Sequence, residues 1–113
     1  MITPPKTDIR KLIEEVRDGQ ASPPRLAVIQ EQLAAEMYLL ADELANIEVF
    51  WADWWLTKRK TASSDKATDM ELDATPDGKQ RMKLRFQLKY LERTISSIKR
   101  RLEISKAEMY NRV

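Results

Sequence analysis

The 113-residue chain contains no cysteine and no histidine. Without cysteine there is no disulfide scaffold, and without either residue type the common zinc sites and every nucleophile activated by an imidazole are excluded. The chain has only two glycines, Gly19 and Gly78, which stand too far apart for a glycine-rich phosphate loop. We therefore predict no catalytic residue, no metal site and no cofactor.

Long apolar runs are missing as well. A helix that spans a bilayer needs about 20 consecutive apolar residues, and no stretch of this sequence approaches that length. Residues 1–6 also lack the apolar segment and small-residue cleavage site of a secretory signal. We expect a cytoplasmic protein with no membrane partner.

The residues that are abundant favour helix. The chain is 34% charged and rich in leucine, alanine, glutamate, lysine and arginine, a composition typical of helical proteins. Its five prolines stand where helices begin or are interrupted, at Pro4-Pro5, Pro23-Pro24 and Pro76. The sequence predicts a single all-α domain made of a short helix over 8–18, a long helix over 22–57, a polar connection over 58–75 and a long basic helix over 76–111.

Both long segments carry apolar residues at spacings of three and four, which is the pattern of a coiled-coil seam. The first seam comprises Leu26, Ile29, Leu33, Met37, Leu40, Leu44, Ile47, Trp51 and Trp54, and the second comprises Leu84, Leu88, Leu91, Ile95, Ile98 and Leu102. Their similar lengths predict an antiparallel two-helix coiled-coil hairpin. Because such a hairpin leaves apolar surface uncovered, the short helix or a second copy must cover it, and we expect a homo-oligomer.

The polar connection contains one local signal of helix. Thr68 and Glu71 have the Thr-x-x-Glu spacing of a capping box. In this motif the threonine hydroxyl accepts a hydrogen bond from the backbone N–H of the glutamate, and the glutamate carboxylate accepts one from the backbone N–H of the threonine. A short helical turn starting at Thr68 is therefore predicted inside the connection.

Charge is distributed unevenly along the chain. Residues 1–56 carry 5 basic and 10 acidic side chains, whereas residues 76–113 carry 11 basic and 4 acidic ones. Such a basic helix can lie along a phosphate backbone, and the candidate nucleic-acid-binding residues are Lys58, Arg59, Lys60, Lys89, Arg93, Lys99 and Arg100. The alternative is that the basic helix pairs with the acidic one, since Glu36, Glu43 and Glu48 flank one seam and Arg85, Lys99 and Arg101 flank the other.

An aromatic cluster ends the first long helix. At 3.6 residues per turn the rings of Phe50, Trp51, Trp54 and Trp55 span about 140° of the helix surface, which is wider than a two-helix seam requires. These side chains either fill the core or form a partner interface, because tryptophan is enriched at binding hot spots.

Three segments between residues 36 and 108 form a recognisable combination: the tryptophan-rich helix, the linker 66–78 and the segment 88–102, which reads LKYLERTISSIKRRL. Through these segments the chain resembles small helical proteins of tailed bacteriophages. Proteins of this kind are found near phage replication and recombination functions, and some resemble recombination mediators. The resemblance implies an accessory role on DNA or on a DNA-handling protein, in the host cytoplasm if a phage encodes the chain.

Three functions remain open from the sequence. The first is a non-enzymatic nucleic-acid-binding accessory protein, whose affinity would fall steeply with salt. The second is a protein-interaction module that modulates a host or phage protein through the tryptophan cluster. The third is a purely structural oligomer.

Overall fold

A computed structural model describes residues 8–111, and within them it contains four helices and no strand. The helices are α1 (Ile9–Asp18), α2 (Pro23–Arg59), α3 (Asp65–Asp73) and α4 (Pro76–Asn111). The predicted all-α class is confirmed. None of these helices is both long enough and apolar enough to cross a membrane. The expectation based on residues 1–6 lies outside the described residues.

Local side-chain chemistry sets both ends of α1. The side chain of Asp8 accepts a hydrogen bond from the backbone N–H of Lys11 at 3.3 Å, which satisfies one donor that the first turn leaves unpaired. At the other end Gly19 has a φ of +72°, a left-handed conformation that is favourable only for glycine. Its N–H donates to the carbonyl of Val16 at 3.2 Å and closes the helix.

The two long helices begin in the same way. The hydroxyl of Ser22 accepts from the N–H of Arg25 at 3.3 Å, and the hydroxyl of Thr75 accepts from the N–H of Gly78 at 3.0 Å. In each case a proline follows the capping residue, where its missing N–H has no helical partner to lose. The hydroxyl–proline pairs therefore mark the starts of α2 and α4.

The predicted polar connection over 58–75 contains a nine-residue helix, α3, and α2 extends to Arg59. The predicted short helix inside the connection is present, but it begins at Asp65 and not at Thr68. The N-cap is Ser64, whose hydroxyl accepts from the N–H of Ala67 at 3.0 Å. Thr68 instead lies one turn inside α3, where it is fully buried and donates its hydroxyl to the carbonyl of Ser64 at 2.9 Å. A buried threonine is accommodated there because its hydroxyl is hydrogen-bonded.

The described residues divide into two compact units. The first unit comprises residues 8–37 and 90–111, and the second unit comprises residues 38–89. In the first unit α1, the start of α2 and the end of α4 each supply buried apolar side chains, namely Leu12, Val16, Leu26, Ile29, Leu33, Leu91 and Ile98.

The second unit has a smaller core, built where α3 meets the start of α4. Leu72 and Leu84 are its buried apolar side chains, and Gly78 is buried beside them. A Cβ atom placed on Gly78 would lie 2.7 Å from the Cα of Asp73 and still closer to the carbonyl oxygen of Leu72. The backbones of α3 and α4 therefore touch at this glycine. The seam residues of α2 in this unit are less buried than the core: Trp54 is exposed, and four others are only half-buried, namely Leu40, Leu44, Ile47 and Trp51.

Candidate nucleic-acid interface

The basic run Lys58-Arg59-Lys60 lies in the second unit, and two of its three cations have acidic partners. The Nζ of Lys58 lies 3.3 Å from the carboxylate of Glu71, and the Nε of Arg59 donates to Asp65 at 2.7 Å. Both acids belong to α3. These contacts reduce the positive charge that the run offers to a polyanion. The sequence pattern missed them because the acids are neighbours in space rather than one helical turn away.

The aromatic cluster is also partly engaged within the second unit. The indole N–H of Trp55 donates to Asp69 at 2.8 Å, and the guanidinium of Arg81 lies 4.1 Å from the centre of the Trp51 ring. Phe50 stacks on Trp54 with ring centres 6.0 Å apart, yet these two side chains remain 54% and 37% exposed. Phe50 and Trp54 are therefore the part of the cluster that can meet a partner.

Glu48 on α2 contacts two arginines of α4. It accepts from the Nε of Arg81 at 2.7 Å and from a terminal nitrogen of Arg85 at 3.1 Å. The hydrogen bond from Arg81 holds the pKa of the Glu48 carboxyl below its ordinary value of 4.5, against the opposing effect of partial burial. In the second unit, basic residues of α4 thus pair with an acidic residue of α2.

This lowered pKa predicts an acid-sensitive contribution to stability. Because the carboxylate is favoured in the folded state, its contribution is fully present above the pKa of the unfolded chain and is lost as the pH falls below it, from about 4.5 downwards. We expect Glu48→Gln to lower the free energy of unfolding at pH 7 by at most about 1 kcal/mol, which is measured as a lower thermal midpoint. The difference from the native protein should close as the pH is lowered to 3.

The matched control for this series is Glu43→Gln, on the same helix. Glu43 is exposed and makes no ion pair with any residue between 8 and 111. Its variant should follow the native thermal midpoint at every pH. A constant gap between Glu48→Gln and the native protein from pH 7 to pH 3 would contradict the ion pair.

The cations at the end of α4 belong to the first unit and are placed differently. Arg93, Lys99 and Arg100 are exposed and make no ion pair with another described residue. The first unit's ion pair within the described range joins Arg25 to Glu15 at 2.7 Å and lowers the pKa of the Glu15 carboxyl through their hydrogen bond. The candidate Lys89 is exposed too and is the last residue of the second unit.

A concave site of about 230 Å³ lies between α1 and α4 in the first unit. We call it the arginine pocket, because three guanidinium side chains line it together with hydroxyl groups and two apolar side chains. Its lining residues are Arg17, Arg93, Arg101, Tyr90, Thr94, Ser97, Ile13 and Val16. None of these eight is acidic. The pocket contains one predicted site residue, Arg93, and brings it together with two arginines that the sequence pattern did not indicate.

In a chain without cysteine and histidine, aspartate and glutamate are the remaining common side-chain ligands for metal ions. Within residues 8–111 no three acidic side chains come together in an arrangement that could hold a metal ion.

Comparison with known proteins gives no relative on which a function could be based. No protein-family model matches the chain. No curated protein and no solved structure matches it either. Any functional proposal therefore depends on the residues and contacts of this chain.

Proposed function

We propose that the protein is a non-enzymatic accessory protein that binds nucleic acid through the basic end of α4 in the first unit. One observation carries the proposal: Arg93, Lys99 and Arg100 are exposed and have no acidic partner among the described residues. In the second unit Arg81 and Arg85 are paired with Glu48. The arginines of α4 that have no acidic partner among the described residues therefore lie at its basic end, where they can meet an external anion.

Exposed cations of this kind bind nucleic acid by replacing the counterions that surround its phosphates. The release of those counterions drives association, so the affinity falls as salt is added. Contacts to phosphate carry no direct sequence information. The protein accordingly binds with little sequence preference, as suits a protein that assists other DNA-handling proteins.

The resemblance of residues 36–108 to small phage proteins supports, as part of the proposal, a role beside the replication or recombination functions of a tailed bacteriophage, in the cytoplasm of the host. Within the second unit, the contacts from Glu48 to Arg81 and Arg85 join α2 to α4, which supports the proposed antiparallel hairpin. The half-buried seam of α2 supports self-association into a homo-oligomer, because apolar surface of this kind gains stability from burial.

The test is DNA binding by the double variant Arg93→Glu/Arg100→Glu. Labelled single- and double-stranded DNA are titrated with native and variant protein across a series of salt concentrations. The native affinity should fall linearly with salt on logarithmic axes, and the variant should bind at least about tenfold more weakly at low salt, since two phosphate contacts are replaced by repulsion.

A second double variant controls for the change in net charge. Lys79 and Lys83 are exposed residues of α4 in the second unit, and Lys79→Glu/Lys83→Glu alters the charge by the same amount. It should retain most of the affinity. Equal losses in the two variants would show that only overall charge matters, and no binding by native protein at low salt would overturn the proposal.

A protein-interaction module is the second candidate function, and the exposed apolar side chains of the second unit favour it. Leu39, Val49, Phe50 and Trp54 are exposed on α2, and Phe86 is exposed on α4. Exposed aromatic residues of this size are typical of interaction surfaces. If the native protein does not bind DNA, these exposed side chains become the leading candidates for contact with a host or phage protein, or with a second copy in a structural oligomer.

A further inference from the structure

We infer that the arginine pocket of the first unit binds a phosphate group. The inference depends on the proposed function, because it names the part of the nucleic acid that this site holds. A phosphate-binding pocket is more specific than a basic surface. A diffuse surface attracts phosphates wherever cations lie, whereas the pocket holds one phosphate among defined donors from two helices.

Arg101 is fixed in the pocket by the end of α1. One of its terminal nitrogens donates a hydrogen bond to the backbone carbonyl of Val16, a carbonyl in the last turn of α1. A guanidinium has five N–H donors, so the other four are left for a ligand. The bond restricts the rotamers of a long side chain before the ligand arrives, which reduces the entropy that binding must remove.

Arg17 approaches from the opposite helix and is also held in place. Its terminal nitrogen donates to the phenolic oxygen of Tyr90 at 3.3 Å. Arg17 belongs to α1 and Tyr90 to α4, so this bond and the one from Arg101 to Val16 cross the pocket in opposite directions. The two guanidinium groups are thereby positioned from different helices around one concave space.

Arg93 and Ser97 supply donors that the protein itself leaves unused. Neither side chain makes a hydrogen bond to another described residue, and both line the pocket. Thr94 differs, because its hydroxyl already donates to the carbonyl of Tyr90 at 3.0 Å. The donors open to a ligand are therefore the three guanidinium groups, the hydroxyl of Ser97 and the O–H of Tyr90, whose oxygen only accepts in its bond with Arg17.

The chemistry of these donors identifies the ligand class. Three positive groups share a site of about 230 Å³ whose lining has no carboxylate, so an anion relieves their mutual repulsion. Guanidinium forks match the oxygen atoms of a phosphate, to which they bind through paired hydrogen bonds. Ile13 and Val16 contribute apolar surface to the lining. A phosphodiester within a strand and a phosphate at its end share this chemistry.

The experiment compares two substitutions that remove the same charge from the same helix. Arg93→Gln removes a lining residue of the pocket, whereas Arg100→Gln removes an exposed arginine that does not line it. Binding to a labelled single-stranded oligonucleotide is measured at several salt concentrations. We expect a loss of about tenfold for Arg93→Gln, as for a charged hydrogen bond, and of less than about threefold for Arg100→Gln, as for a single screened surface charge. Arg93→Lys, which keeps the charge without the fork, should fall between native protein and Arg93→Gln.

A second measurement separates the pocket from the proposed function. The Nε–Hε resonances of the arginines are followed by NMR while inorganic phosphate is added to native protein at constant ionic strength. The pocket predicts shifts for Arg17, Arg93 and Arg101 and none for Arg100. This readout needs no nucleic acid and no variant that must fold.

The possible outcomes are distinct. Equal losses for Arg93→Gln and Arg100→Gln, with uniform resonance shifts, would overturn the pocket and leave the proposed function standing. Selective shifts with phosphate but no binding to DNA would support the pocket and overturn the proposed function. An oligonucleotide with a 5′-phosphate identifies the source of the ligand, since tighter binding than its 5′-hydroxyl counterpart assigns the pocket to strand ends and equal binding assigns it to internal phosphodiesters.

Discussion

Replacing Gly78 by alanine should destabilise the second unit by about 3 kcal/mol, a value at the upper end for overpacked sites. The added Cβ would lie 2.7 Å from the Cα of Asp73 and closer still to the carbonyl oxygen of Leu72. Both are backbone atoms of neighbouring residues, so a change of side-chain rotamer cannot relieve the clash. The substitution must push α4 away from α3, which disrupts the packing of Leu72 and Leu84.

Chemical denaturation of Gly78→Ala, followed by tryptophan fluorescence, measures this effect, because all three tryptophans lie in the second unit. The control is Gly19→Ala, in which the same methyl group is added at the other glycine; because Gly19 lies in the first unit, its unfolding is followed by circular dichroism rather than by tryptophan fluorescence. Gly19 has a φ of +72° and no atom near the new Cβ, so only the left-handed backbone is penalised, by about 1 kcal/mol. Similar losses in the two variants would show that α3 and α4 do not touch at Gly78.

Truncation of Ile98 should have a comparable effect in the first unit. This side chain is 0% exposed, and Ile98→Ala removes buried apolar surface and leaves a cavity that the surrounding helices cannot fill completely. The expected loss in the free energy of unfolding is about 3 kcal/mol, within the range for such substitutions. Helix content followed by circular dichroism during denaturation measures it.

Ile104 provides the matched control, since it is the same residue type in the same helix and the same unit. It is 53% exposed, so Ile104→Ala removes little buried surface and should change stability by less than about 1 kcal/mol. If Ile104→Ala proved as destabilising as Ile98→Ala, the direction in which α4 faces the core would be wrong.

Most of the helical framework could be predicted from the sequence because it depends on local chemistry. Gly19 ends α1, and the hydroxyl–proline pairs at 22–23 and 75–76 start the long helices, as each pattern indicates. Burial of Leu84, Leu91 and Ile98 follows the period of seven along α4. The observed start of α3 differs from the predicted one because Ser64 and Thr68 are both residue types that cap helices. Only the burial of Thr68 in the folded chain distinguishes them.

The candidate site was harder to predict because it depends on contacts between distant residues. Arg93 has no acidic residue three or four positions away along the helix, so the sequence alone indicates an unpaired cation. The sequence does not indicate that Arg17 lies near Arg93, because the register of α1 against α4 is set by the core of the first unit. For the same reason, the ion pairs that Asp65 and Glu71 form with the cations at the end of α2 could not be predicted from the sequence.

The first unit combines residues 8–37 with residues 90–111, whereas the second unit is continuous in sequence. Contacts between residues far apart in sequence form late, because a long loop must close before they contribute stability. During synthesis the second unit has all of its residues before the first unit does. Arg17 can therefore meet Arg93 and Arg101 only after the end of α4 has been synthesised, and we expect the arginine pocket to form after the second unit has folded.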